Sequence, residues 1–210
     1  MGSPSLQEAI VERANLAYYE RNAAMYAEQT SRADLSHLYA PFLALLPPAA
    51  RILDVGCGGG RDLKAFRQRG FDPVGIDPSP ALVEIARRYS GAEALVGKVE
   101  DLQLSDAFDG VWACASLLHL PRRVFPEALR RIHSALVGGG VLFLSVQSGA
   151  GDLVGEDGRF FARYDSSALR LALKDANFQL LRIWDSEDSL PGRAALTWLN
   201  LLAKKPAGDS

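Results

Sequence analysis

Two acidic residues and a glycine cluster carry the chemistry that can be read from this chain. The segment LDVGCGGGRD, Leu53 to Asp62, sets Gly56, Gly58 and Gly60 in GxGxG spacing just after Asp54. Glycines at this spacing let the backbone bend sharply and approach a ligand with no Cβ in the way, and the loop ends at a helix N-terminus, whose N–H groups receive an anionic or polar group. Asp77 follows Gly60 by 17 residues at the end of the next strand-like run. A carboxylate there can accept both hydroxyls of a ribose, at roughly 1.5–3 kcal/mol for each charge-assisted bond. The pattern therefore predicts a nucleoside ligand. Asp54 beside the loop would repel a pyrophosphate and suits an ammonium or a sulfonium. The dinucleotide fingerprint GxGxxG wants a third glycine where Arg61 stands, and the GK[ST] of a phosphate-binding P-loop is missing. An NAD(P)-dependent oxidoreductase stays as an alternative on the same fold, as does a non-catalytic module that binds the nucleoside and passes nothing on.

The surrounding elements follow from periodicity. Helical spacing runs from Leu6 to Leu46, with Leu35, Leu38, Tyr39, Phe42 and Leu46 on one face, until Pro47-Pro48 forbids continuation. After this preface come strand RILDVG, a helix from about Arg61 to Arg69 closed by Gly70, strand PVGID, and a helix carrying Leu82, Ile85, Ala86 and Tyr89. A strand near Glu93 to Val96 and FDGVWACAS lead to a helix in which Leu129, Ile132 and Leu136 share a side before Gly138-Gly139-Gly140 stops it. GVLFLSV is a buried strand. The tail predicts a helix from Ser166 to Ala176, strand FQLLRIW, a turn at Pro191-Gly192 and strand ALTWLNLLA, the last two strands pairing antiparallel. Alternation of this kind specifies an α/β fold: an open, mostly parallel sheet of about seven strands with an antiparallel C-terminal strand, helices on both faces and a helical N-terminal cap. Residues 1–48 form the cap and 49–210 the main domain, one domain overall. The irregular stretch Ser148 to Tyr164 reads as a lid or substrate loop, with Phe160, Phe161 and Tyr164 either shaping an apolar pocket or anchoring the loop.

Composition limits the partners. The 210 residues are 48% apolar and 23% charged, with a formal charge of −2, which supports a folded core and removes the broad attraction that nucleic-acid binders draw from phosphates. No apolar run reaches the ~18 residues of a membrane span, and Met1 to Leu6 lacks the charge and apolar core of a signal peptide. Cys57 and Cys114 are too few for a disulfide framework and too far apart for a CxxC metal pair, so a reducing cytoplasm and no metal site are expected. Cys57 reads as a small loop residue and Cys114 as core packing. His119, after the fourth strand, is a proton acceptor or a packing histidine; His37 and His133 fall within helical patterns.

The constellation Asp54, Gly56, Gly58, Gly60 and Asp77 resembles the class I S-adenosylmethionine-dependent methyltransferases. The likeness extends over about Arg51 to Val146: DPSPALVEIARR is similar to the family's second cofactor segment, FDGVWACASLLHL to its fourth strand and following loop, and LVGGGVLFLS to its fifth strand. The resemblance implies a Rossmann-like fold and S-adenosylmethionine as cofactor, with S-adenosylhomocysteine as product. By that analogy the methionine part lies over Gly56, Cys57 and Gly58, the ribose on Asp77, and the adenine between Pro78-Ser79 and Lys98 to Leu102, with Ala115 closing the fourth strand against the cofactor. Lys98 stands where many members carry an acid for the adenine amino group, so the Val99 backbone, Glu100 or Asp101 takes that contact. The Tyr-rich preface, GRFF and WLNLLAKK are further similar to bacterial small-molecule methyltransferases related to tellurite-resistance enzymes, which places Tyr19, Tyr26 or Arg32 over the cofactor. The Asn/Asp-Pro-Pro-Tyr/Phe element of the adenine-amino and glutamine-amide methylating subgroups is replaced by ACASLLHL. The expected activity is in-line methyl transfer to a small-molecule acceptor, with proximity sufficient for a soft anion and His119 assisting a hydroxyl or ammonium. Oligomeric state does not follow.

Overall fold

The computed structural model of the chain describes residues 5–190 and 196–208; the expected Pro191-Gly192 turn lies outside them. The N-terminal preface divides into α1 (Leu6–Ser31) and α2 (Ser36–Leu43). Ser5 and Glu8 open α1 with a capping box, each side chain satisfying the other's backbone N–H. Asp34 Oδ1 accepts from Ser36 N at 2.8 Å at the start of α2, so the continuous helical spacing hides a break at Arg32–Leu35.

The main domain alternates β1 (Arg51–Val55), α3 (Arg61–Gln68), β2 (Asp72–Asp77), α4 (Pro80–Ser90), β3 (Glu93–Val96), β4 (Phe108–Cys114), α5 (Phe125–Ala135) and β5 (Leu136–Gln147). Then come the short strands β6 (Asp152–Val154) and β7 (Phe160–Ala162), followed by α6 (Ser166–Asp175), β8 (Gln179–Glu187) and β9 (Thr197–Lys204). Seven strands form one sheet in the order β3-β2-β1-β4-β5-β9-β8. All are parallel except β9, which runs antiparallel to both β5 and β8. This is the Rossmann-like arrangement, and the order reverses between β1 and β4, where such sheets bind ligands outside the carboxyl ends of their strands.

Alternation along the strands divides the core. Leu53, Val111, Ala113, Leu142, Leu144 and Leu201 pack on one face under α5 and α6. Ile52, Trp112, Val141, Phe143 and Leu202 pack on the other against Leu38, Tyr39 and Phe42 of α2 and Phe66 of α3. Trp112 stacks on Phe143 with ring centroids 3.9 Å apart, and burial of each such side chain contributes roughly 1.5–3 kcal/mol. Helix α2 is therefore part of this core.

Two expectations change. Leu136 does not end a helix: α5 stops at Ala135, and Leu136 begins β5 opposite Phe108. The next paired residues are Gly110 and Val141, so Gly138–Gly140 form a bulge on the strand instead of a helix stop. The irregular stretch Ser148 to Tyr164 contains the antiparallel hairpin β6–β7, with Asp152 opposite Ala162 and Val154 opposite Phe160.

Candidate active site

The loop after β1 is held by the end of β2. The Gly56 and Cys57 amides donate to the Ile76 carbonyl at 2.8 and 3.0 Å. Gly58 N donates to Asp77 Oδ2 at 3.0 Å, and Ser79 N to Asp77 Oδ1 at 2.9 Å. Each oxygen of Asp77 thus keeps lone pairs for a ligand while its position is fixed from both sides. Burial pushes its carboxyl up to about 6 against those two backbone bonds, with Glu20 adding to the rise. Gly56 has φ +73°, and a Cβ there would stand 2.3 Å from Ser116 Cβ. Gly60, at φ +86°, meets the Ala86 backbone of α4 within 2.8 Å of where its Cβ would be. The third glycine of the motif therefore serves helix packing, and it is absent from the cavity wall.

Asp54 is 1% exposed, and its Oδ2 has no hydrogen-bond partner among the described residues. Burial raises its carboxyl well above the ordinary range, with Asp62 and Asp77 reinforcing the rise and Arg61 opposing it. Arg61 is committed elsewhere: its guanidinium forks onto Asp62 at 2.6 and 2.8 Å. Asp62 also accepts from Tyr39 Oη at 2.5 Å and Trp112 Nε1 at 2.9 Å. Burial alone would raise Asp62, but the Arg61 fork and the two donors hold it below its usual value. Neither thiol is activated, since burial pushes both Cys57 and Cys114 upward.

Two cavities meet at this loop. The first, about 910 Å³ counted out to its mouth, holds Asp77, Pro78, Ser79, Val99, Glu100 and Lys98 on its walls. The second, about 1570 Å³ on the same measure, runs from Cys57 and Arg61 across the carboxyl end of β5 and the amino end of β9 to the β6–β7 hairpin. Tyr19, Tyr26, Gly56, Gly58, Ala115 and His119 line both and form the waist between them. Arg32 stands apart from either: it is exposed and paired to Glu28 at 2.5 Å, because α1 has turned that side chain to solvent by its last turn. Asp101 is exposed at the end of a single 3-10 turn and outside both walls, leaving Val99 and Glu100 as the residues of that segment at the cavity. Lys98 pairs with Glu12 of α1, which occupies its charge.

His119 sits in a closed ring of hydrogen bonds. Its Nδ1–H donates to the Phe160 carbonyl at 2.8 Å, and its Nε2 accepts from Tyr19 Oη at 2.7 Å. A carbonyl can only accept, which fixes the tautomer. Asn15 completes the ring, donating to the His119 carbonyl at 3.3 Å and accepting from Phe160 N at 2.8 Å. Burial, with the charge of Arg159 adding to it, pushes His119 down to about 4 against the Phe160 bond, so the ring is neutral near pH 7. Arg159 forks onto Asp157 at 2.9 and 2.7 Å and lies over the Tyr18 ring at 4.3 Å, fastening the hairpin to α1.

Helix α1 supplies what sequence reasoning missed. Glu12 and Asn15 join Tyr19 and Tyr26 at helical spacing along the first cavity, a stripe legible in the sequence as polar and aromatic residues on one face. Glu20 accepts from Ser79 Oγ at 2.5 Å and Ala81 N at 3.1 Å, tying α1 to the start of α4. Gln147, Trp198 and Asn200 on the second cavity carried no local signal. Among the described residues there is no group of three His, Cys, Asp or Glu side chains placed to hold a metal ion, and no helix is long and apolar enough to cross a membrane.

Comparison with known proteins bears on the fold and the family. The ubiquinone biosynthesis O-methyltransferase of Xanthomonas campestris pv. campestris is 39% identical over 105 residues, 47% of this chain and 43% of that protein. The match thus spans less than half the length of that curated relative. The 1,6-didemethyltoxoflavin-N1-methyltransferase of Burkholderia thailandensis, solved with 1,6-didemethyltoxoflavin and S-adenosylhomocysteine, superposes with a TM-score of 0.77 at 21% identity, covering 98% of this chain and 93% of its own. A TehB-like methyltransferase of Corynebacterium glutamicum gives 0.67 at 21% identity, over 90% and 98%. At these identities the two structures establish the shared fold. The methyltransferase-domain family model matches residues 26–183, well over half of the sequence, and the chain belongs to that family.

Proposed function

We propose that the protein transfers the methyl group of S-adenosylmethionine to a small-molecule acceptor. The observation that carries this reading is the pair of cavities sharing one waist: a nucleoside cleft with a fixed carboxylate at Asp77, opening beside the glycine loop into a second chamber large enough for an acceptor. A module that only binds the nucleoside has no need of the second space. The cofactor fits what the residues leave unsatisfied. Asp54 is buried off the walls of both cavities with Oδ2 orphaned, and a cation lying over the glycine loop, such as the ammonium of the methionine part, would favour its anionic form. Asp77 has acceptor capacity for both ribose hydroxyls, and the mostly apolar wall of Ile76, Pro78, Leu82 and Val99 suits a purine. A pyrophosphate would meet the Asp77 carboxylate, with Asp54 buried behind it, instead of an unpaired cation, which disfavours a nicotinamide cofactor.

When bound, S-adenosylmethionine supplies an electrophilic sulfonium methyl. The chain's own part is to orient and to exclude water. Tyr19 and Tyr26, packed edge to face at 5.0 Å, hold the waist from α1, with residues 1–48 acting as a cap over the 49–210 domain. The Asn15–His119–Phe160 ring holds the β6–β7 hairpin as a lid over the acceptor chamber. With Nδ1–H given to the Phe160 carbonyl and Nε2 accepting from Tyr19 Oη, His119 positions Tyr19 and the lid, and a proton from an acceptor would reach it through the Tyr19 hydroxyl. Orientation of this kind is worth up to about 7–11 kcal/mol in favourable cases. We place the protein in the cytoplasm, with no nucleic acid among its partners.

Calorimetry tests the reading. S-adenosylhomocysteine is expected to bind at one site per chain while NAD(H) and NADP(H) give no heat, and binding of a nicotinamide cofactor with silence from S-adenosylhomocysteine would overturn it.

A further inference from the structure

One face of the sheet changes character at the carboxyl end of β5. Val141 and Phe143 are apolar and packed in the core under α2; the next side chains on that face are Ser145 and Gln147. Across the antiparallel pairing, Asn200 lies opposite Ser145 and Trp198 opposite Gln147, so β9 extends the same patch, and all four line the second cavity. Asn200 is 0% exposed. Its Nδ2 donates to Ser186 Oγ at 2.9 Å and approaches the Trp184 carbonyl at 3.5 Å, and that carbonyl, which can only accept, sets the amide orientation. Its Oδ1 then has no partner among the described residues. An amide oxygen so deeply buried without a donor is costly in a folded protein, and a ligand that brings a donor removes the cost.

Charge narrows the ligand further. Among the described residues, the two guanidinium groups on this cavity are neutralised in place, Arg61 by Asp62 and Arg159 by Asp157. Among the described residues an anionic acceptor would find no unpaired cation, and of the other carboxylates on these walls Asp188 already accepts from Leu190 N at 2.7 Å and Trp198 Nε1 at 3.1 Å while Glu187 is exposed to solvent. The remaining walls include Trp198, Phe161 and Leu118, surfaces suited to a flat ring.

We propose that Asn200 and Gln147 form an amide reading site for the methyl acceptor, and that the acceptor is a neutral flat ring bearing an N–H or O–H donor that is received by Asn200 Oδ1. This rests on the second cavity being the acceptor chamber. The test uses the full chain saturated with S-adenosylhomocysteine and four probes in solution binding measurements by NMR: 2-hydroxypyridine, its donor-less form 1-methyl-2-pyridone, benzoate and benzylamine. The expected result is that 2-hydroxypyridine binds at least tenfold more tightly than the other three, and that Asn200→Ala removes this preference while the affinity for S-adenosylhomocysteine stays within twofold. Gln147→Leu, at the next position along the same face, is expected to weaken 2-hydroxypyridine severalfold and provides a second variant should Asn200→Ala melt early. Equal or tighter binding of benzoate or benzylamine, indifference of the probe to both substitutions, or no bound probe at all would overturn the proposal. A parallel titration of the wild-type chain with S-adenosylhomocysteine separates the two readings: silence there overturns the cofactor assignment, and the probes added to the unloaded chain still judge the amide site.

Discussion

The two cavities that meet at Tyr19, Tyr26 and His119 are built on opposite principles. On the nucleoside side, polar groups are held ready and unspent: Asp77 is clamped by two backbone amides yet keeps lone pairs, and behind the cavity wall Asp54 is buried with an oxygen unpartnered. On the acceptor side both described arginines are closed on carboxylates, Arg61 on Asp62 and Arg159 on Asp157, Asp188 is held by Leu190 N and Trp198 Nε1, Glu187 is exposed to solvent, and neutral amides and aromatic walls are left to face the acceptor. Under the proposed function, the contrast lets one fold hold a charged cofactor firmly while leaving the acceptor to weaker, shape-dependent contacts. Fixed charges in a low-dielectric site discriminate strongly, whereas neutral hydrogen bonds select by geometry.

The most forceful way to break the comparison is Asp77→Ala. Two charge-assisted bonds at roughly 1.5–3 kcal/mol each would be lost, so the affinity for S-adenosylhomocysteine should fall by about a hundredfold or more. Thermal unfolding should remain cooperative, and calorimetry that finds unchanged affinity in the folded variant would remove Asp77 from the site. Next is the bridge between the two sides. Asn15→Ala deletes two hydrogen bonds of the ring that joins α1, His119 and β7 and strands the Phe160 amide and the His119 carbonyl; stability should drop by about 2 kcal/mol. Amide exchange of the β6–β7 hairpin should quicken ahead of the sheet, and uniform protection would show that the hairpin is not held by this ring. The smallest effect is pH. Burial holds the Asp77 carboxyl at about 6, and ribose donors favour its anion, so binding releases a proton. Affinity for S-adenosylhomocysteine should therefore rise by about tenfold from pH 5 to pH 7 and level off above. A flat profile would mean that the carboxylate is not the group the sugar meets.

Much of the nucleoside side was legible because its determinants are local. A strand, a glycine turn and an acid at the end of the following strand lie within Leu53 to Asp77, and the backbone geometry of such a turn restricts residue type strongly. Even there the reading overreached: Gly60 packs on Ala86, and Arg32 and Asp101 face solvent. Spacing identifies a helix or a loop but does not fix how its ends rotate against neighbours. The break between α1 and α2 was hidden for a related reason, since apolar spacing continued across it while the Asp34 carboxylate took the Ser36 N–H at a new start. Leu136 fits a helical period equally well, yet pairing with Phe108 claimed it for β5.

The order of strands and helices, the bend beside Asp54 and the place of Asp77 were set by the sequence alone, because each depends on neighbours a few residues away and on the period of burial. Only the tertiary structure decided that Asn15 would close a ring with His119 and Phe160, more than a hundred residues distant along the chain. It likewise decided that Asn200 would stand opposite Ser145 with an oxygen left open. These pairings arise when α1 is laid along the main domain and β9 is inserted antiparallel between β5 and β8. Contacts of such separation leave no periodic trace in the sequence, since their formation is governed by the packing of whole elements and not by the local preferences of the residues that meet.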